Sequence, residues 1–194
     1  MRALLIPLSF LHYFVYRNSP EPIRHAINED LDRMNRAGGH NTSYGLCHFL
    51  IYRNPYRNLF YYRIGKFKMG LMFRKILRLL LPDYPMFTIL DNVESIGGGC
   101  SVINHPYGTI INAKSVGKNF TICQLTTIGN KNHGDNSLLP EIGDNVSLGA
   151  NVSIIGGVNI GSNVVIGAGS IVVKDVSDNS VAVGNPAHII KNTD

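Results

Sequence analysis

Ile142, Leu148, Ile154, Ile160, Ile166 and Val172 recur at every sixth position without interruption. Four residues after each comes a small or β-branched residue: Val146, Val152, Val158, Val164, Ser170 and Val176. Three residues after each comes Asn145, Asn151, Gly157, Asn163, Gly169 or Asp175. Gly, Asn and Asp tolerate a positive φ better than other residues. A chain with one of them at every sixth position is expected to turn a tight corner at each. The aliphatic residue on each short side then points inward and stacks on its equivalent one coil away. No coil buries that residue alone, so stacking supplies the stability. An ordinary β-sandwich would instead show period-2 alternation at variable spacing.

Six residues per side and three sides per coil give a triangular prism of short parallel strands. The expected fold is a left-handed parallel β-helix built on hexapeptide repeats, over residues 86–177. Leu90, Ile96 and Val102 start the register. It slips before Ile110, which lies eight residues after Val102, and resumes with Val116, Ile122 and Ile128. A second break follows Ile128, where residues 130–141 leave the repeat as a polar loop. The first break contains His105 and the second His133. Loops that interrupt a rigid scaffold carry function, and a pattern that fails locally marks a site. After Ser177 the register ends, and residues 178–194 read as a C-terminal tail.

Residues 1–85 read as an N-terminal α-helical domain. Glu21 and Pro22 open a helix through Ile23, Ile27, Leu31 and Met34 that stops at Gly38-Gly39. A second apolar run spans Tyr44–Tyr52, and Pro55 starts another helix with Leu59, Tyr62 and Ile64 available for packing. Leu71–Leu81 is basic and amphipathic and ends at Pro82; its Leu and Met stripe is expected in the core. Ala3–Tyr16 is apolar but too short to cross a bilayer. It reads as a helix packed on this domain or lying at a membrane surface.

The net charge of +5 is uneven: no Asp or Glu lies between Asp32 and Asp83, where ten Lys and Arg residues sit. That block is either a solvated helix face or a surface turned to an anionic neighbour such as a membrane. No nucleic-acid partner is expected. Cys47, Cys100 and Cys123 show neither metal nor disulfide spacing. They read as free thiols in a reducing compartment, which implies a cytoplasmic protein.

The run Asn104-His105-Pro106-Tyr107-Gly108-Thr109-Ile110-Ile111 resembles the His-x-x-Gly segment of serine acetyltransferases and their relatives. So do Gln124-Leu125-Thr126-Thr127-Ile128-Gly129, Ile142-Gly143-Asp144-Asn145-Val146 and Val183-Gly184-Asn185-Pro186-Ala187. The resemblance implies acetyl transfer from acetyl-CoA to a hydroxyl, without a metal, in a homotrimer with active sites between neighbouring prisms. His105 occupies the family's base position. An alcohol is a poor nucleophile until a base takes its proton, and imidazole titrates near neutrality. Small corner residues would line the pantetheine arm of CoA: by resemblance Gly129, Ala150, Gly167, Ala168 and Gly169. Lys174, Lys191 and His188 are candidates to face its phosphates. A metal role for His105 with His133 lacks a third ligand.

Departures from the family pattern bear on the acceptor. Serine acetyltransferases carry an Arg-His pair before the proline that restarts the helix; here Leu138 and Leu139 precede Pro140. The family's Asp before the catalytic His is Asn104 here. Both changes remove groups that grip a zwitterionic amino acid. The resemblance therefore leans to relatives that O-acetylate sugars of surface or capsular polysaccharides. Asn104, Tyr107, His133 and Leu139 are the candidate contacts to a saccharide acceptor. Serine O-acetylation and a non-catalytic trimeric scaffold are the competing readings.

Overall fold

The computed structural model describes residues 6–34, 43–102, 106–132 and 138–192. It divides into two compact units, Met1–Pro85 and Met86–Asp194.

Among its described residues the first unit holds five helices: α1 (Ile6–Arg17), α2 (Glu21–Met34), α3 (Ser43–Tyr52), α4 (Asn54–Ile64) and α5 (Lys68–Leu80). Pro55 sits in the first turn of α4, where its missing N–H costs nothing. α4 is the core of the unit, burying Tyr56 and every residue from Leu59 to Ile64. Two buried polar contacts fix its neighbours. Arg63 donates from Nε and Nη2 to the two carboxylate oxygens of Asp30 on α2, at 2.6 and 2.8 Å. Asp30 is 0% exposed and Arg63 5%. Tyr61 donates its hydroxyl to the Leu81 carbonyl at 2.6 Å and stands 2.9 Å from the buried His12 Nε2 of α1. Burial pushes the Tyr61 phenol well above its usual value, so it stays a donor. The proposed stop of α2 at Gly38-Gly39 lies outside the described residues.

The stripe on α5 is not core. Only Gly70 and Leu77 of that helix are buried, while Leu71, Met72, Ile76 and Leu79 are exposed, Leu79 by 82%. On the packed side Gly70 sits against the Ile64 carbonyl, where any Cβ would collide. Leucines on the other side are left without a partner inside the unit. Among the described residues no helix is long and apolar enough to cross a membrane.

The second unit is the three-sided parallel β-helix that the repeat predicts. The first face stacks Phe87–Ile89, Thr109–Ile111, Thr127–Gly129, Ser153–Ile155 and Ile171–Val172. The second stacks Ser95–Ile96, Ser115–Val116, Glu141–Ile142 and Asn159–Ile160. The third stacks Ser101–Val102, Thr121–Ile122, Ser147–Leu148, Val165–Ile166, Ser180–Gly184 and Ala187–Asn192. Every pairing is parallel except the last, where Ala187–Asn192 turns back on Ser180–Gly184. Each face has an inward column, such as Ile111, Ile128, Ile154 and Val172 on the first. A buried aliphatic residue contributes on the order of 1.5–3 kcal/mol, so the columns carry the stability of the unit.

Three details differ from the periodic reading. The inward residue at the first slip is Ile111, 0% exposed, and not Ile110, which is 41% exposed. Ile111 pairs with Ile128, because the enlarged corner before it delays the strand by one residue. The positive φ expected at Gly157 falls on Gly156, since Gly157 is held against Leu138. Asp175 makes no such turn; its carboxylate accepts the Asn159 N–H at 2.8 Å. The chain after Ser177 also continues the prism, since Ser180–Gly184 lies parallel to Val165–Ile166 as a further rung.

The corner between the second and third faces shows why asparagine recurs. Asn119, Asn145, Asn163 and Asn179 all have φ between 54 and 59°. Each of the first three donates Nδ2–H to the Oδ1 of the next, at 2.9, 2.9 and 2.8 Å. The side chain thus suits the left-handed backbone and links successive coils. Asn145→Ala is expected to destabilise the prism by about 2 kcal/mol, combining left-handed strain with two lost exposed bonds. Asn145→Gly should cost about half as much, because glycine relieves the strain. Urea denaturation of the two variants measures the difference.

Candidate active site

The corner from the third face to the first gathers most of the residues nominated for CoA. Backbone bonds set its columns: Leu125 N–H donates to the Tyr107 carbonyl, Asn151 to Gln124 and Gly169 to Ala150, at 2.9, 2.9 and 2.8 Å. Tyr107, Gln124, Ala150 and Ala168 therefore form one column along the prism edge. Gly108, Leu125, Asn151 and Gly169 form the next, all left-handed, with φ of 64, 60, 57 and 73°. The glycines behind them are required by close stacking. A Cβ on Gly149 would stand 2.6 Å from the Ala168 nitrogen, and one on Gly167 2.6 Å from Val183 Cγ1. Nothing lies within 4 Å of where a Gly169 Cβ would be. The lower part of this edge is thus a smooth strip of Ala150, Gly167, Ala168 and Gly169, with backbone accessible to a long thin ligand.

The upper part is bulky. Tyr107 is 42% exposed and Leu125 46%. Leucine in a left-handed conformation costs about 1–2 kcal/mol relative to glycine. Sequence reasoning passed over Leu125, although counting back one coil from Asn151 across the loop places a leucine at a left-handed corner. Cys123, just before Gln124, has its thiol pushed up by burial, which favours the protonated form.

The remaining nominations do not converge on this edge within one chain. Gly129 ends the strand Thr127–Gly129, and its carbonyl accepts the Gly156 N–H at 2.9 Å. Lys174 follows Ile171–Val172. Both lie at the opposite edge of the first face, where its strands end. Lys191 pairs with Val181 at the far end of the third face. The basic residue beside the Ala168 corner is His188, whose ring stands 3.3 Å from where a Gly184 Cβ would be. Leu139 is buried in the prism, so the exposed member of the leucine pair is Leu138, which packs on Gly157. His105, Asn104 and His133 lie outside the described residues.

The described residues on either side of the first register break show its size. Ser101 pairs with Thr121, twenty residues on, where a regular coil such as Glu141 to Asn159 takes eighteen. The surplus falls between Val102 and Thr109, at the start of the Tyr107 edge. The loop at 130–141 leaves from the other edge of the same face. A groove of about 640 Å³ runs along the second face, lined by Glu141, Asp175 and Asp178 among others. Its carboxylates make it a poor host for an anionic cosubstrate. Among the described residues no group of three His, Cys, Asp or Glu is placed to hold a metal ion.

Comparison with known proteins agrees with this architecture. The family described as bacterial transferase hexapeptide (six repeats) matches residues 140–174. WcaB of Escherichia coli strain K12, which carries the name of a colanic acid biosynthesis acetyltransferase, is 49% identical over 45% of this chain and 54% of its own length. Serine acetyltransferase 2 of Arabidopsis thaliana is 31% identical over 87% of this chain and 52% of its own. The chain thus spans about half the length of the curated relatives it matches. The crystal structure of Neisseria gonorrhoeae serine acetyltransferase superposes at a TM-score of 0.73, covering 93% of this chain and 71% of that one at 24% identity, a likeness of fold. With the repeat and the three-sided prism, residues 140–174 carry the bacterial transferase hexapeptide repeat, and the chain is similar to serine acetyltransferases and to WcaB.

Proposed function

We propose that the protein transfers acetyl from acetyl-CoA to a sugar hydroxyl of a surface polysaccharide or its precursor. The observation that carries this is the edge of small residues, Ala150, Gly167, Ala168 and Gly169, which ends in exposed Leu125 and Tyr107, the latter two residues along the chain from His105. The strip suits the pantetheine arm, and the basic residue nearest its end is His188. His105 acts as general base. It takes the proton from the acceptor hydroxyl, whose oxygen attacks the thioester carbon. The C–S bond then breaks, and the imidazolium returns the proton to the departing sulfur. Exposed Leu138, where serine-specific enzymes carry a polar pair, favours a sugar over an amino acid, as does the match to WcaB.

The active unit in this reading is a homotrimer. The Tyr107 corner and the loop at 130–141 stand at opposite edges of one face, so a crevice between neighbouring prisms draws on both edges. The likeness to Serine acetyltransferase 2 supports the second reading, serine O-acetylation. Thiol release from acetyl-CoA, followed with L-serine and with hexose, 6-deoxyhexose and uronic acid glycosides, separates them. Turnover of serine alone defeats the sugar reading.

A cytoplasmic protein apposed to the inner membrane surface completes the proposal. Lys68 and Lys75 stand on the same exposed side of α5 as Leu71, Met72, Ile76 and Leu79, with no acidic residue from 33 to 82. That pattern matches an anionic bilayer. Co-sedimentation with vesicles of anionic phospholipid is expected, and should be lost at high salt or in Leu79→Glu. Equal recovery with neutral vesicles, or none with either, removes the membrane from the reading.

A further inference from the structure

Leu125 breaks the rule of its own corner. The equivalent positions on the other rungs are Gly108, Asn151 and Gly169, residue types suited to a left-handed backbone. Leu125 holds φ at 60° while leaving its side chain 46% exposed. Folding gains little from that side chain: it strains the backbone and is only half-buried. Strain retained without a packing reward is the mark of a residue kept for a ligand.

Its direction is set by its neighbours. Leu125 Cδ2 stands 3.0 Å from where a Cβ on Gly108 would be, so the leucine lies over the bare backbone of the preceding rung. Tyr107 is adjacent, and its carbonyl accepts the Leu125 N–H at 2.9 Å. Two exposed side chains thus come from neighbouring rungs at the upper end of the edge, Tyr107 lying two residues along the chain from His105. Gln124 shares the Leu125 rung, and the next two rungs of the edge carry Ala150 with Asn151 and Ala168 with Gly169. Bulk is concentrated at the end where the acceptor hydroxyl must meet its base, and the strip for the donor is left clear.

We propose that Leu125 is a specificity-determining residue: with Tyr107 it forms the apolar platform that seats the C–H face of a pyranose acceptor. This rests on the sugar O-acetyltransferase reading above. A pyranose ring presents one face of C–H groups that packs on aliphatic and aromatic side chains, while its hydroxyls point outward to water and base. Free serine has no such face, so the platform selects for a ring.

The test uses the full-length protein and three variants, Leu125→Gly, Leu125→Asn and Leu125→Ala, with acetyl-CoA and whichever glycoside the wild type acetylates best. All three should raise the glycoside KM about ten-fold, the loss typical of a removed apolar contact, and move the acetyl-CoA KM less than two-fold. Leu125→Gly and Leu125→Asn should melt a few degrees higher than wild type, and Leu125→Ala should not, because only the first two relieve the backbone. An unchanged glycoside KM in all three overturns the platform and leaves the sugar reading standing. A raised acetyl-CoA KM assigns Leu125 to the donor strip and overturns the platform likewise. A fall in oligomer mass makes Leu125 a subunit contact, which also overturns it. A wild type that acetylates no glycoside defeats both the platform and the reading beneath it.

Discussion

Replacing His105 with alanine is expected to slow acetyl transfer by about 10²–10⁴-fold, the usual contribution of a positioned general base. An alcohol at neutral pH is almost wholly protonated, and its attack on a thioester is slow until the proton has somewhere to go. The loss should fall on kcat and on kcat/KM for the acceptor together, because the proton moves only as the new C–O bond forms. The KM for acetyl-CoA should stay near its wild-type value, since the donor strip of Ala150, Gly167 and Ala168 belongs to other rungs. The acid limb of the wild-type pH–rate profile, where imidazole becomes protonated and can no longer accept, should vanish from the residual activity. Initial rates of thiol release across pH measure all of this. Wild-type rates in His105→Ala would remove His105 as the base, and no transfer in either protein would leave a non-catalytic trimeric scaffold as the standing reading.

The largest effect on stability is expected in the helical unit. Asp30→Ala removes the carboxylate that pairs bidentately with the Arg63 guanidinium, in a site where Arg63 is only 5% exposed. Breaking a buried pair by removing one partner costs roughly 3–5 kcal/mol, because the survivor is left charged and desolvated. Stability of a whole domain is only about 5–15 kcal/mol, so the helices should melt well before the prism. The pair itself is a different matter. Its mutual attraction is offset by the desolvation of both ions, so Asp30→Leu with Arg63→Met should recover much of the loss. Urea denaturation read at the helical band of circular dichroism separates the variants. A single variant as stable as wild type would show that water reaches Arg63.

The two halves of the molecule were unequally legible. The prism could be written down from residue spacing because its contacts are one coil apart and nearly identical on every rung. Ile142 to Val172 needed only a period of six, and Asn145, Asn151 and Asn163 announced their corners by residue type. The helices were visible as segments, but which side each one buries was not. The stripe on α5 reads as core in one dimension, and becomes surface only because Gly70 seats the helix on its other side. Where the coil departs from its period, counting lost a residue, so Ile110 stood for Ile111.

Residue identity and spacing alone determined the fold and the two register breaks, because a repeat makes distant contacts follow local arithmetic, while the strip of small residues came from the family resemblance. Only the tertiary structure decided which residues share an edge. It separated Lys174, Lys191 and Gly129 from the Ala150 corner, brought His188 near it, and put Leu139 inside and Leu138 outside. It also set Leu125 beside Tyr107 in a strained backbone. Those outcomes depend on the lengths of the inserted loops and on hydrogen bonds between rungs, which act across the chain rather than along it.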